Sequence, residues 1–388
     1  MRLTRLFNEF FHSEKAGGLL LVGCTLISLL IANTAIGDSY IHFWHTNLGP
    51  KPVEFWVNDV LMSIFFLLVG LEIERELYIG EMSDLRRAML PVFAAIGGMA
   101  VPALIHYLFN HGTASQGGVA IPMATDIAFS LGILSLLGNR VPAALKVFLT
   151  ALAIIDDLGS ILVIALFYAH GISTTNLLIA GGIYAVMLVL NKFKVYRTWI
   201  YLLLGVVMWV FMYRSGVHAT ITGVLVAAAI PFGNGDEHSP SYQLQHRLHK
   251  PVAFVILPIF ALANTAIAIP ATWMDDLGSP NSLGIMLGLL AGKPAGIFLF
   301  SMIPFWLGLA SLPAGIKRVH LLWTGLLAGI GFTMSIFITH LAFADETLVV
   351  SSKIAIMLGS VTAGLLGLLL LKASLKQAAD PLSEAETT

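Results

Sequence analysis

The sequence predicts an all-α membrane protein, one polytopic domain over residues 1–388 that crosses a bilayer twelve times, and three observations carry that reading. Only 11% of the residues are charged and 57% are hydrophobic, whereas soluble domains hold about a quarter charged residues. The apolar residues cluster: 88–125 and 158–191 contain no Asp, Glu, Lys or Arg, and each run is long enough for one or two spans of about 20 residues. Basic residues, finally, fall in alternate loops.

Cutting the chain at charged or turn-rich segments gives candidate spans at 16–33, 59–79, 88–109, 118–138, 143–169, 175–191, 198–213, 217–232, 252–270, 283–305, 319–341 and 354–371. The first follows Arg2, Arg5 and Lys15 as a secretory signal would. It reads instead as a retained span after a 1–15 tail, because its apolar run exceeds the usual 7–15 residues and no small-x-small cleavage pattern follows. Lone Cys24 lies inside it, so no disulfide framework is expected. Asn110-His111-Gly112 divides the third and fourth spans, and Gly171-Ile172-Ser173 the fifth and sixth. No linker is long enough for a soluble domain, and 372–388 is a second tail.

An even number of spans puts both termini on one side. Of the 21 Lys and Arg, all but Lys51, Arg214, Lys353 and the intramembrane Lys293 fall on that side. Positive charge accumulates in cytoplasmic loops, so the termini are expected in the cytoplasm. One missed span would scramble the bias downstream of it.

An ionisable residue near the bilayer centre costs about 2.5–3.5 kcal/mol on insertion scales and asks for a function or a partner. Four stand out: Asp126 in the fourth span, Asp156 and Asp157 in the middle of the fifth, and Lys293 in the tenth. Adjacent helical residues point about 100° apart, so one of Asp156 and Asp157 binds a ligand and the other neighbours it. Carboxylates held close in low dielectric resist ionising together. That suits exchange of a proton for a hard cation on oxygen ligands, which Asp157, Asp126, the Thr125 hydroxyl and freed backbone carbonyls offer. The bland alternative is an ion pair of Lys293 with Asp126 or Asp156 that only holds helices together. It leaves two buried acids unexplained.

Broken helices are a second signal. Pro122 removes a backbone donor four residues before Asp126. In the eleventh span, Gly329, Gly331, Thr333 and Ser335 suit either a break at matching depth or close helix packing. Interrupted spans in each half point to an inverted-repeat transporter with a midplane site.

Five segments in order carry a resemblance across the chain between its tails: Phe65–Glu72, Ala124–Phe129, Ala153–Gly159, Ser215–Thr220 and Gly331–Phe337. With them the sequence resembles the NhaA family of bacterial Na⁺/H⁺ antiporters, itself a standard example of a fold built from inverted-topology repeats. The resemblance implies twelve helices with spans three to five and ten to twelve as inverted repeats and discontinuous spans 4 and 11 crossing. Asp126 and Lys293 would compensate their facing dipoles. It implies Asp157 as the principal Na⁺/Li⁺ and proton carboxylate, Asp156 as its partner paired with Lys293 when the ion is absent, and Asp126 and Thr125 as support. Electrogenic export of Na⁺ or Li⁺ against more than one proton follows, with the additional proton on Asp156 or Lys293. A homodimer, partly through a hairpin within 38–55, and an inner-membrane location also follow.

Regulation by pH is a further implication. Glu72, Arg75 and Glu76 match a cytoplasmic cluster, as does His246, while Gln245 stands where an acid is expected and Glu74 where a base is common. The pH profile is therefore expected to differ. His218 matches a position linked to pH response, or is a hydrogen-bonded packing residue. Asp59 is solvated or structural. Competing readings fit less well: a channel does not call for a lysine beside the acids and broken helices, and a symporter of organic solutes would surround the acids with aromatic and amide groups. There is no nucleotide-binding loop for an ATP-driven pump, and no cofactor, nucleotide or nucleic acid is expected beyond the transported ions and membrane lipid.

Overall fold

The structure is a computed structural model that describes residues 5–169, 171–310, 312 and 315–376. Parts of both expected tails, 1–4 with Arg2 and 377–388, lie outside the described residues. The chain is helical almost throughout. Helix α1 (Arg5–Ala32) begins within the expected tail and turns by 114° into α2 (Gly37–His45). A short antiparallel pair, β1 (Asn47–Leu48) and β2 (Lys51–Pro52), turns at Gly49, whose φ of 71° suits a residue without a Cβ. There follow α3 (Val53–Tyr78) and α4 (Leu85–Asn110), then a 3₁₀ stretch (Ala114–Met123) leading to α5 (Ile127–Ser135). Next come α6 (Ala143–Phe167), α7 (Thr174–Lys192), α8 (Thr198–Ser215), α9 (Ile221–Ala229) and α10 (Pro240–Asn264). The last four are α11 (Pro280–Trp306), α12 (Arg318–Ala328), α13 (Phe332–Ala342) and α14 (Glu346–Lys376).

Among the described residues, eight helices are long and apolar enough to cross a membrane, or up to eleven if each bent pair is one span. The expected span at 217–232 is α9, whose 9 residues rise only about 14 Å at 1.5 Å each. That is about half the hydrocarbon thickness. The surface agrees with a lipid solvent: Leu166, Phe167, Leu178 and Leu30 are at least two-thirds exposed, as apolar residues facing acyl chains would be.

Two compact units make up the chain. The first takes in 85–156 and 270–376 with α1 as far as Leu19. Its α4 and α11 touch backbone to backbone: a Cβ on Gly97 would lie 2.2 Å from the Gly296 carbonyl oxygen, and one on Gly296 2.1 Å from that of Gly97. Pro91 and Pro102 sit inside α4, tolerated because neighbouring helices can satisfy the freed carbonyls. Helix α11 opens with Ser279 accepting from the Ser282 amide at 3.2 Å and Pro280 in its first turn. A buried polar tie joins the C-terminal part of α4 to the starts of α11 and α14. His106 Nε2 meets Asn281 Oδ1 at 3.3 Å, and Asn281 Nδ2 donates to Ser352 Oγ at 2.7 Å.

The second unit takes in 20–84 and 157–269. Here α3 and α9 pack through glycines, a Cβ on Gly223 falling 2.2 Å from the Ser63 carbonyl oxygen. Leu67, Leu71, Met187, Tyr201, Met208 and Val226 form its core. Trp209 Nε1 donates to Ser63 Oγ at 2.8 Å, and Asn264 Nδ2 to Asn58 Oδ1 at 2.7 Å. Helix α8 stops on Gly216, which takes the left-handed conformation at φ 80°.

Candidate functional site

Two interrupted helix pairs form the frame of the site in the first unit. The 3₁₀ stretch and α5 meet at a bend of 42°, with Ala124 and Asp126 extended between them, and α12 and α13 meet at 52° across Gly329–Gly331. Of the two readings of those glycines, both hold. The chain breaks there, and a Cβ on Gly329 would approach the Leu289 carbonyl oxygen of α11 to 2.4 Å.

The breaks are tied crosswise. The Asp126 amide donates to the Ile330 carbonyl at 2.7 Å, the Thr125 hydroxyl to the Ala328 carbonyl at 2.9 Å, and the Ser335 hydroxyl to the Ile121 carbonyl at 2.7 Å. An interruption frees backbone acceptors that lipid cannot satisfy. Here the opposite interruption supplies the donors.

Asp126 serves both helix starts. Its Oδ1 accepts from the Phe129 amide at 2.9 Å, the N-cap contact of α5. Its Oδ2 accepts from the Thr333 amide at 3.0 Å and from the Thr333 hydroxyl, in the first turn of α13. Helix N-termini carry partial positive charge, so one buried carboxylate meets two dipole ends.

Asp156, Thr125 and Lys293 form a second group. Lys293 Nζ lies 3.0 Å from Asp156 Oδ2, with both side chains fully buried. The single proton of the Thr125 hydroxyl is shared between the Ala328 carbonyl and this same carboxylate oxygen, 2.8 Å away, and Lys293 also donates to the Met123 carbonyl. The ammonium is aimed by its helix: a π-turn, Gly288–Gly292, immediately precedes Lys293, and Pro294 follows it. Such wide turns recur at functional sites because they shift the following side chains around the axis. On the other flank, Gly98 of α4 packs against Ile297 of α11, whose Cγ1 a Cβ would meet at 2.8 Å. Asp157, the next residue of α6, is fully buried.

The residues expected to sense pH divide into two places in the second unit. Glu72, Arg75 and Glu76 lie three and four apart near the C-terminal end of α3 and share a face. Glu72 is buried, and Glu76 folds its carboxylate over Gly80, where a Cβ would meet Oε2 at 2.1 Å. His246 is exposed on α10, stacked on Tyr242 with centroids 6.4 Å apart, and the first half of α10 packs against α3. His218 stands apart, its Nε2 donating to the Tyr168 carbonyl at 2.9 Å. The hydrogen-bonded packing contact expected as one of its two readings is present. Asp59 is half-buried in a π-turn, Trp56–Leu61.

The sequence model of the family described as Na⁺/H⁺ antiporter 1 matches residues 8–371. The chain belongs to the Na⁺/H⁺ antiporter 1 family. Relatives named Na⁺/H⁺ antiporter NhaA include one from Cytophaga hutchinsonii, 58% identical over 100% of this chain and 99% of its own length. Another, from Flavobacterium psychrophilum, is also 58% identical, over 97% of this chain and 98% of its own. One from Vibrio cholerae is 49% identical over 96% of this chain and 99% of its own.

In this member of the antiporter 1 family, sequence reasoning singled out the charged residues and missed what holds them. Thr333 stands in a noted hydroxyl-bearing motif, yet its bond to Asp126 crosses 207 positions. The carbonyls of Met123, Ala328 and Ile330 leave no mark on the sequence at all. The freed carbonyls expected as cation ligands are, at Ile121, Met123, Ala328 and Ile330, engaged by donors from facing segments.

Proposed function

We propose that the chain is a secondary antiporter that exports cytoplasmic Na⁺, and Li⁺, in exchange for protons. Family membership over residues 8–371 is the observation that carries this reading, and the buried Asp156–Lys293 pair beside Asp157 supports it. Asp157 is the carboxylate that trades a proton for the ion. Asp156 is held by Lys293 and Thr125 until the ion arrives, and then releases Lys293 to become a second oxygen ligand. More than one proton enters per ion, so the exchange is electrogenic and the membrane potential drives it. Asp126 fixes the two helix starts whose positive ends would otherwise repel the cation.

The finer architecture belongs to the same proposal. Twelve spans arise when α9 and each bent pair count as one, and spans three to five and ten to twelve are inverted repeats with crossing breaks. Both termini face the cytoplasm of a bacterial inner membrane. Two chains pair, partly through the β1–β2 hairpin, and Glu72, Arg75, Glu76, His246 and His218 set the pH profile.

Everted vesicles carrying the chain and energised to an acid interior should lose their proton gradient on adding Na⁺ or Li⁺ but not K⁺. Equal responses to all three ions would refute the selectivity. Asp157→Asn should abolish the response with the protein still present in the membrane, and full Na⁺-dependent dequenching by that variant would remove Asp157 from the mechanism.

A further inference from the structure

At one end of the first unit, α5 gives way through Leu136 and Leu137 to the turn Gly138–Arg140, close to where α14 nears its end. A cleft of about 460 Å³ opens there, walled by Leu136, Leu137 and Leu368 and edged by Arg140 and Lys372. Both basic residues are exposed, and among the described residues no acidic residue lines the cleft. Its floor is fixed, since Gly364 of α14 sits so close to α5 that a Cβ would reach Ile133 Cδ1 at 2.8 Å.

The surroundings of the cleft define its ligand. Leu365, Leu369 and Lys372 recur at helical spacing along one side of α14, and both leucines are more than half exposed. In a chain with this surface they face acyl chains rather than water. The cleft is therefore continuous with a lipid-facing wall, and it sets two cations at the polar end of that wall. A basic recess between helices, open sideways to the bilayer, fits a lipid phosphate. A soluble anion would gain nothing from the leucines.

We propose that this cleft binds an anionic phospholipid, its phosphate between Arg140 and Lys372 and an acyl chain laid along Leu368. The lipid ties the C-terminal end of α5 to α14. Because α5 is the helix whose first turn Asp126 caps, the lipid steadies one arm of the broken pair from its far end.

Native mass spectrometry of the full chain in detergent, titrated with phosphatidylglycerol and phosphatidylethanolamine of matched acyl chains, tests the assignment. The wild type should bind the first phosphatidylglycerol in preference to phosphatidylethanolamine. The pair Arg140→Gln and Lys372→Gln should weaken that first step by about twenty-fivefold, given about a fivefold factor for each basic residue near a lipid surface. The charge-keeping pair Arg140→Lys and Lys372→Arg should retain it, and millimolar inorganic phosphate should not displace the lipid. Undiminished binding by the glutamine pair, equal affinity of the wild type for the two lipids, or displacement by phosphate would each overturn the proposal.

Discussion

Replacing Asp156 by Asn leaves the Lys293 ammonium fully buried with its carboxylate partner gone. Breaking a buried pair from one side costs about 3–5 kcal/mol, because the remaining charge is uncompensated, whereas removing both charges is often close to neutral. Asp156→Asn should therefore lower the melting temperature of the detergent-solubilised protein, and Asp156→Asn with Lys293→Met should recover most of the loss. Thermal denaturation of the three proteins decides it, and a double variant as unstable as the single one would show that the pair is not the coupled unit its 3.0 Å contact implies. The four costly charges were legible in the sequence because no apolar span carries an acid without a reason. Their partners were not: three residues, Thr125, Asp156 and Lys293, meet across separations of 31 and 137 or more positions through backbone turns that residue types do not encode.

Helix contacts in this molecule are made by backbone as much as by side chains. Gly97 and Gly296 let α4 and α11 approach until each carbonyl occupies the space of the other's Cβ, the kind of small-residue packing that bilayers favour because hydrophobic burial cannot drive association there. Gly296→Ala must push the helices apart or distort them, which costs about 1–3 kcal/mol. Gly181→Ala in α7, where nothing lies within 4 Å, should be neutral or stabilising by about 0.5–1 kcal/mol from helix propensity. Melting temperatures of the two variants should move apart, and equal shifts would sink the packing argument. The sequence shows both as glycines in apolar runs and offers no means to tell them apart. The break in the fourth span was different, since Pro122 announces a lost backbone donor four residues before the buried acid Asp126.

Orientation is a property of the whole chain and follows from the distribution of basic residues rather than from any contact. In a Cys24→Ser background, Lys51→Cys should react with a membrane-impermeant maleimide added to intact cells, and Lys192→Cys should react only after the membrane is opened. The reverse pattern would invert the assigned topology. The helical class and the approximate positions of most spans were legible in the sequence alone, and the expected orientation rests on it entirely, because the bilayer imposes long uncharged runs and biases loop charge with little regard to packing. Tertiary structure alone decided that α9 is half a span long, that Thr125 and Lys293 share one oxygen of Asp156, and that Asp126 caps two helices at once. The physical reason is that each depends on where distant backbone amides and carbonyls come to lie. Every residue but proline carries both groups alike, so only the folded chain can distinguish them.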